Sequence, residues 1–136
     1  MFKARTILFF SVLVATLTPH ESKAATDWVC SQLHEAAFLD EPDEVREALA
    51  HGIDINCKDV LGQTALVTAV NGASIDSFEV LIKAGARVNV QTEFGQSLLQ
   101  HTQKKFRAVD QHRGLEQYRD LFQTMIARLQ LAGANP

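Results

Sequence analysis

The chain repeats itself with a period of 33 residues, and this periodicity restricts its fold more than any other feature. Leucines recur at this spacing, and so do small hydroxyl residues, glycines, asparagines and alanines. The matched positions are Leu33, Leu66 and Leu99; Ser31, Thr64 and Ser97; Gly52 and Gly85; Gly62 and Gly95; Asn56 and Asn89; and Ala36 and Ala69. Such a period is typical of a small supersecondary unit that stacks on its neighbours to bury a shared core.

Each unit is predicted to contain two helices followed by an extended segment. The repeated hydroxyl residues stand where a side chain would cap the first N–H groups of the first helix. The second helix is predicted to end at Gly52 in one copy and Gly85 in the next, where the chain needs a left-handed residue. Extended segments then lead to the turn glycines Gly62 and Gly95.

These motifs resemble the ankyrin repeat. Residues 59–69 carry most of its Asp-x-x-Gly-x-Thr-Pro-Leu-His-x-Ala pattern, with Ala65 at the proline position, and residues 33–37 match its Leu-His-x-Ala-Ala core. The usual Gly-Ala-Asp-x-Asn ending is present in residues 85–89, with Arg87 at the aspartate position. The likeness covers residues 31–103. It implies an all-α solenoid of about three helix-turn-helix repeats, with short β-hairpin fingers and an extended C-terminal capping repeat.

The third repeat is longer than the other two. The predicted domain spans residues 25–136, with repeats at about 27–58, 59–91 and 92–136. From Gly85 to Gly133 is 48 residues, so about 15 are inserted relative to the repeat period. The insertion is placed near residues 104–118 and is predicted to be helical, with a break near Gly114, because apolar residues follow helical spacing beyond it. It is either a cap for the stack or a binding arm.

Residues 1–24 have the features of a Sec-type signal peptide. Lys3 and Arg5 precede an apolar run over residues 7–17. Small residues follow up to Ala24, and cleavage is predicted after Ala24 or after Ala25. The run is too short to span a bilayer, which needs roughly 20 residues. The alternative is a membrane anchor or a buried helix. The sequence therefore predicts a periplasmic protein of a bacterium, without membrane association after cleavage.

The charge of the chain is unevenly distributed. Removing residues 1–24 takes away three bases and one acid, so the net charge changes from −3 to −5. Residues 25–57 contain eight acids and Arg46 as their one base, whereas residues 101–136 contain six bases and three acids. An acidic protein repels phosphates, which argues against nucleic acid as a partner. The separation of acidic and basic regions along the chain either steers a partner protein of complementary charge or reflects solvated helix faces.

Cys30 and Cys57 are the two cysteines of the chain. Because the count is even and the predicted compartment is oxidising, a disulfide between them is predicted. It would close a loop of about 28 residues and stabilise the fold by about 3 kcal/mol in the chain-entropy model. The alternative is a pair of buried free thiols.

The sequence predicts no catalytic site, cofactor or metal. Neither a Gly-x-Ser-x-Gly nucleophile motif nor a glycine-rich phosphate loop is present. The histidines and cysteines show no His-x-x-x-His or Cys-x-x-Cys spacing of the kind that zinc sites use. His34 occupies the histidine position of the ankyrin motif, and the resemblance implies that it holds a finger by hydrogen bonds. The chain is therefore predicted not to be an enzyme.

Three apolar residues, Trp28, Leu61 and Phe94, are also 33 residues apart. Each lies at a finger-tip position, so they are predicted to line one edge of the stack as anchors for a partner. The alternative is that they pack against one another or against the hairpins. The complete set predicted for partner contact is Trp28, Val60, Leu61, Gln63, Thr68, Asn71, Glu93, Phe94, Gln96 and Lys104.

The resemblance extends to small periplasmic ankyrin proteins of bacteria that protect their own cell by binding and blocking peptidoglycan endopeptidases. It implies a protein partner of the cell-wall hydrolase class. Three alternatives stay open: a scaffold or chaperone-like partner of a periplasmic oxidative-stress enzyme, an effector secreted beyond the cell, and a redox role for the cysteine pair.

Overall fold

The computed structural model describes residues 28–136, which form six helices and no β-strand. The helices are α1 (Cys30–Leu39), α2 (Pro42–Ala50), α3 (Ala65–Asn71), α4 (Ile75–Lys83), α5 (Leu98–Asp110) and α6 (Glu116–Leu131). The predicted signal peptide, residues 1–24, lies outside the described residues. Within residues 28–136 no helix combines the length and the apolar character that crossing a bilayer requires.

The helices form three successive pairs that stack side by side. Helix α1 packs on α2, α3 on α4, and α5 on α6. Between neighbouring pairs, α1 packs against α3, α2 packs against α4, and α4 contacts α6. The prediction of an all-α stack of ankyrin-like repeats is therefore confirmed.

The repeated apolar positions form one continuous core. Leu33, Leu66 and Leu99 are buried in the first helices of the three pairs, and the small residues Ala36 and Ala69 are buried beside them. Helix α6 closes the distal end of this core with Phe122, Met125 and Leu129. Burial of this apolar surface is the main favourable contribution to folding, and each pair needs its neighbour to obtain it.

Glycines end the second helices, as predicted. Gly52, Gly85 and Gly133 all have φ near +90° (89°, 89° and 88°), a left-handed conformation that costs glycine little. The chain then turns back, and the amide of Ala86 donates to the carbonyl of Leu81 at 3.0 Å. The unpaired carbonyls at the ends of these helices thus obtain partners.

The predicted hydroxyl caps are present at only one of three positions. Ser97 Oγ accepts a hydrogen bond from the Gln100 amide at 3.2 Å at the start of α5. Thr64 precedes α3, but its Oγ1 is buried and has no partner among the described residues. Ser31 lies inside α1, because that helix starts one residue before it. The cap prediction was wrong for these two residues.

Two asparagines join successive repeats through the same hydrogen bond. Asn56 Oδ1 accepts from the Arg87 amide at 2.9 Å, and Asn89 Oδ1 accepts from the Asn135 amide at 2.8 Å. Both bonds connect equivalent positions. The third repeat therefore ends with the same joint as the second, although its helices are longer.

The first two pairs also approach closely at the turn between α3 and α4. Ser74 Oγ donates to the Phe38 carbonyl at 2.7 Å, and Asp40 Oδ1 accepts from the Ser77 amide at 2.8 Å. A Cβ atom on Gly72 would overlap the Phe38 carbonyl oxygen. Glycine is thus required here by the closeness of two repeats and not by its own backbone conformation, which is right-handed helical.

The C-terminal pair is longer than the others. Helices α5 and α6 have 13 and 16 residues, compared with 7 and 9 in α3 and α4. Residues 104–110 continue α5, and residues 111–115 form a non-helical connection that contains Gly114. Arg128 donates from Nε to Glu79 Oε1 and from Nη2 to Glu79 Oε2, both at 2.8 Å, so a bidentate ion pair fixes α6 on α4.

Candidate functional site

Two fingers project between the helix pairs. We call residues 58–64 the proximal finger and residues 91–97 the distal finger. In each finger a single antiparallel bridge joins the first residue to the last. The turn glycines Gly62 and Gly95 have φ of 75° and 74°, which few other residues adopt. The fingers are therefore tight hairpin turns with one bridge each.

A side chain shapes the proximal finger. Asp59 Oδ1 accepts hydrogen bonds from the amides of Leu61 and Gln63, both at 2.9 Å. The distal finger has Thr92 at the equivalent position, where the backbone amide donates to the Gln96 carbonyl at 2.9 Å. Thr92 Oγ1 itself is buried without a partner in the described chain. Turn-forming bonds thus order the proximal finger before any partner binds.

The tips of both fingers carry exposed apolar side chains. Val60 is 101% exposed, Leu61 56% and Phe94 77%, and Glu93 beside Phe94 is also exposed. Because these side chains remain in water, they contribute little to the free energy of folding. Aromatic and large apolar groups in rigid, exposed positions are typical anchors of protein interfaces.

Trp28 does not join Leu61 and Phe94 in the predicted row of exposed anchors along one edge of the stack. Its ring is half-buried and stacks on the His51 ring at the end of α2, with 5.0 Å between the centroids and 15° between the planes. No finger precedes α1 in the described residues, so Trp28 packs on the end of its own repeat. The exposed apolar tips are therefore Val60, Leu61 and Phe94.

Two other predicted contact residues belong to a hydrogen-bonded network: Gln63 is part of the proximal finger, and Asn71 is in α3. Gln63 is only 5% exposed, and its Oε1 accepts from Asn71 Nδ2 at 3.1 Å. Asn71 Oδ1 in turn accepts from His101 Nε2 at 2.8 Å. This chain of bonds ties the finger to α3 and α5. Gln63 and Asn71 support the finger and offer little surface to a partner.

Two lysines in the middle of α5, Lys104 and Lys105, act on His101. Burial lowers the pKa of this imidazole, and the charges of Lys105 and Lys104 lower it further. Burial also lowers the pKa of the Lys105 ammonium. Lys104 on α5 is exposed and Gln96 in the distal finger is partly buried, so both remain accessible.

A histidine holds the segment that leads into the proximal finger. His34 is 6% exposed; its Nε2 donates to the Cys57 carbonyl at 3.1 Å, and its Nδ1 lies 2.9 Å from Thr68 Oγ1. This is the role that the ankyrin resemblance implies. Thr68 is consequently engaged and half-buried.

The predicted disulfide is present. Cys30 at the start of α1 is bonded to Cys57, and their Cα atoms are 6.1 Å apart. Cys57 directly precedes the proximal finger. The bridge therefore attaches this finger covalently to the first helix.

Sequence reasoning missed a polar cleft between the two fingers. Asn56, Asn89 and Gln91 line it together with the cationic Lys58 and Arg87, and no acidic side chain does. The signal that could have revealed it is Arg87, which stands where the ankyrin pattern has an aspartate. The cleft favours a partner group with negative charge.

No protein-family model matches the chain. Several curated proteins are similar over part of it. The Arf-GAP with coiled-coil, ANK repeat and PH domain-containing protein 2 of Gallus gallus is 37% identical over 71 residues, which are 51% of this chain and 9% of that protein. The transient receptor potential cation channel subfamily A member 1 of Homo sapiens is 30% identical over 95 residues, 70% of this chain and 8% of that protein.

The similarities support an ankyrin-repeat family for this chain. The mitochondrial disaggregase of Homo sapiens is a third relative, 33% identical over 91 residues, which are 67% of the chain and 13% of that protein. The chain thus spans about a tenth of the length of the relatives it matches. The similarity to ankyrin-repeat proteins suggests a non-catalytic protein-interaction module.

Proposed function

We propose that this chain is an exported protein-binding module of a bacterial periplasm, and that its two fingers bind and block a peptidoglycan endopeptidase of the same cell. The observation that carries the proposal is the set of exposed apolar tips Val60, Leu61 and Phe94. A polar side-chain network and a disulfide hold the proximal finger from below, so it loses little freedom on binding.

The chemistry of this surface favours occlusion of a cleft. Two narrow fingers can enter a concave site, and the tips supply anchors that lose water on contact. Lys58 and Arg87 in the cleft between the fingers complement carboxylates on the partner. The predicted signal peptide and the disulfide support an oxidising compartment outside the cytoplasm.

Inhibition of a purified periplasmic endopeptidase by the processed protein tests the proposal. We expect the double variant Leu61→Ala/Phe94→Ala to inhibit at least tenfold more weakly, because each tip loses an anchor, while its melting temperature stays within a few degrees of the wild type. The readout is the inhibition constant with intact peptidoglycan as the substrate.

Phe38 and Leu39 provide a matched control. They are 52% and 55% exposed, comparable with the finger residues, but lie at the end of α1. Phe38→Ala/Leu39→Ala should inhibit like the wild type. Equal inhibition by the finger variant, or no inhibition of endopeptidases while an oxidative-stress enzyme binds, would contradict the proposal. Mass spectrometry of the exported protein shows independently whether cleavage follows residue 24.

A further inference from the structure

Three potential metal ligands converge beside the proximal finger. The sulfur atoms of Cys30 and Cys57 and one ring nitrogen of His34 all lie within 4.8 Å of one another. Cys30 and His34 are one turn apart on α1, so they share a helix face, and Cys57 comes from the segment that the bridge fastens to that face. Simple spacing motifs miss this group because its third member is distant in sequence.

We propose that reduction of the Cys30–Cys57 bridge opens a binding site for zinc or a similar divalent transition-metal ion. The reductant is a dithiol. It passes two electrons and two protons to the bridge and becomes a disulfide itself, while the two cysteines become thiols. Metal binding then releases both thiol protons to water, since the thiolate is the form that ligates. The disulfide and the bound metal are therefore alternative ways of linking Cys30 in α1 to Cys57.

The geometry suits a tetrahedral ion. Zinc–sulfur bonds of about 2.3 Å and zinc–nitrogen bonds of about 2.0 Å place neighbouring ligand atoms about 3.5 to 3.8 Å apart. The Cα atoms of the two cysteines are 6.1 Å apart, so rotation of their side chains can separate the sulfurs to that distance without moving the backbone. The His34 nitrogen, at most 4.8 Å from the sulfurs, needs to approach them by about 1.3 Å at most.

The histidine already has the support that metal-bound imidazoles use. One ring nitrogen faces Thr68 Oγ1 and the other faces the Cys57 carbonyl. The nitrogen that ligates the metal gives up its present hydrogen bond, whereas the opposite one keeps an oxygen partner that orients the ring. His34 is also nearly buried, so its position is fixed before the ion arrives.

A cavity next to two of the three ligands, Cys30 and His34, leaves space for a fourth ligand. Cys30 and His34 line it together with Lys58, Asp59 and Val60. It offers room for one water molecule, as in sites with three protein ligands. Two sulfurs and a nitrogen select zinc or cobalt over magnesium and calcium.

Titration with Co²⁺ tests the inference directly. We expect the processed protein, reduced with a phosphine, to bind one Co²⁺ per chain, with the visible bands of a tetrahedral site and a near-ultraviolet thiolate charge-transfer band. Excess Zn²⁺ should remove both signals. Zn²⁺ should also raise the melting temperature of the reduced protein and not that of the oxidised one, because the thiols exist only after reduction.

Variants separate a built site from chance binding by thiols. His34→Gln should weaken Co²⁺ binding at least tenfold while keeping the charge-transfer band, and Cys57→Ser should abolish that band. His112→Gln, which changes an exposed histidine on the connection after α5, is the matched control and should bind like the wild type. If circular dichroism shows that His34→Gln is unfolded, Thr68→Val replaces it, with a smaller loss of affinity.

Three results would overturn the inference. They are the absence of a thiolate band from the reduced wild type, equal affinity of the His34 and His112 variants, and a stoichiometry of two chains per ion. The inference does not depend on the identity of the protein partner.

Discussion

His101 shows how the polar side chains under the proximal finger respond to their surroundings. Burial, Lys105 and Lys104 all lower the pKa of this imidazole, while its Nε2 donates to Asn71. The unfolded chain therefore binds a proton at a higher pH than the folded protein does. Stability from this residue is complete above the unfolded pKa near 6.5, and it is lost as the pH falls from there toward the folded value.

Replacement of His101 should reduce the acid sensitivity of the fold. His101→Gln keeps an amide that can donate to Asn71 but does not titrate. We expect its free energy of unfolding to fall less than that of the wild type between about pH 7.5 and about pH 5.5. Urea titrations at both pH values measure the difference. His112→Gln, in an exposed position, should retain the wild-type dependence; an unchanged pH dependence of His101→Gln would contradict the assignment.

At the scale of elements, the first helices of successive repeats start in different ways. Helix α5 starts with a side-chain cap from Ser97, whereas α3 starts after Thr64, whose hydroxyl is buried and unpartnered in the described structure. A buried hydroxyl without a hydrogen bond destabilises the folded state, whereas a side-chain cap stabilises it. Equivalent positions in the repeat are therefore not equivalent in energy.

Substitutions at these starts should have opposite consequences. Ser97→Ala should lower the free energy of unfolding by about 1 kcal/mol through loss of the cap. Thr64→Val keeps the shape and removes the unpaired group, so it should be neutral or slightly stabilising. Thr102→Val is the matched control, since this buried hydroxyl donates to the Leu98 carbonyl at 2.7 Å, and it should destabilise by about 1 kcal/mol. Chemical unfolding distinguishes these outcomes; destabilisation by Thr64→Val equal to that by Thr102→Val would be inconsistent with an unpaired Thr64.

Periodicity explains which features the sequence could predict. It identifies positions with the same surroundings in each repeat, so the buried leucines, the helix-ending glycines and the exposed Leu61 and Phe94 follow from it. Trp28 belongs to a repeat end, where no preceding finger exists in the described chain, and it packs on His51 instead. Gln63 is buried and hydrogen-bonded to Asn71, a contact that depends on packing between elements and not on the spacing of the repeat.

At the scale of the whole molecule, the stack behaves as a row of units that contact only their neighbours. The bridge between Cys30 and Cys57 fastens its N-terminal end, and the ion pair between Glu79 and Arg128 fastens the C-terminal pair to the middle one. Loss of one fastening therefore affects the nearest unit first.

Removal of the bridge should loosen one end of the row. Cys30→Ser/Cys57→Ser should lower the free energy of unfolding by about 3 kcal/mol, because the unfolded chain regains the entropy of the open loop. Hydrogen exchange should speed up in α1, α2 and the proximal finger, and change little in α5 and α6. Ser31→Ala, at an exposed position beside Cys30, is the control and should exchange like the wild type. An equal acceleration along the entire chain would indicate that the units unfold together.

Because Trp28 stacks on His51, intrinsic fluorescence can follow the two ends of the stack separately. The chain has one tryptophan and one tyrosine, and Tyr118 lies in α6, in the opposite terminal unit. Separation of the indole from the imidazole changes the tryptophan fluorescence, whereas fraying of the last helix changes the tyrosine emission. Fluorescence spectroscopy without any added dye can thus show which terminal helix pair unfolds first.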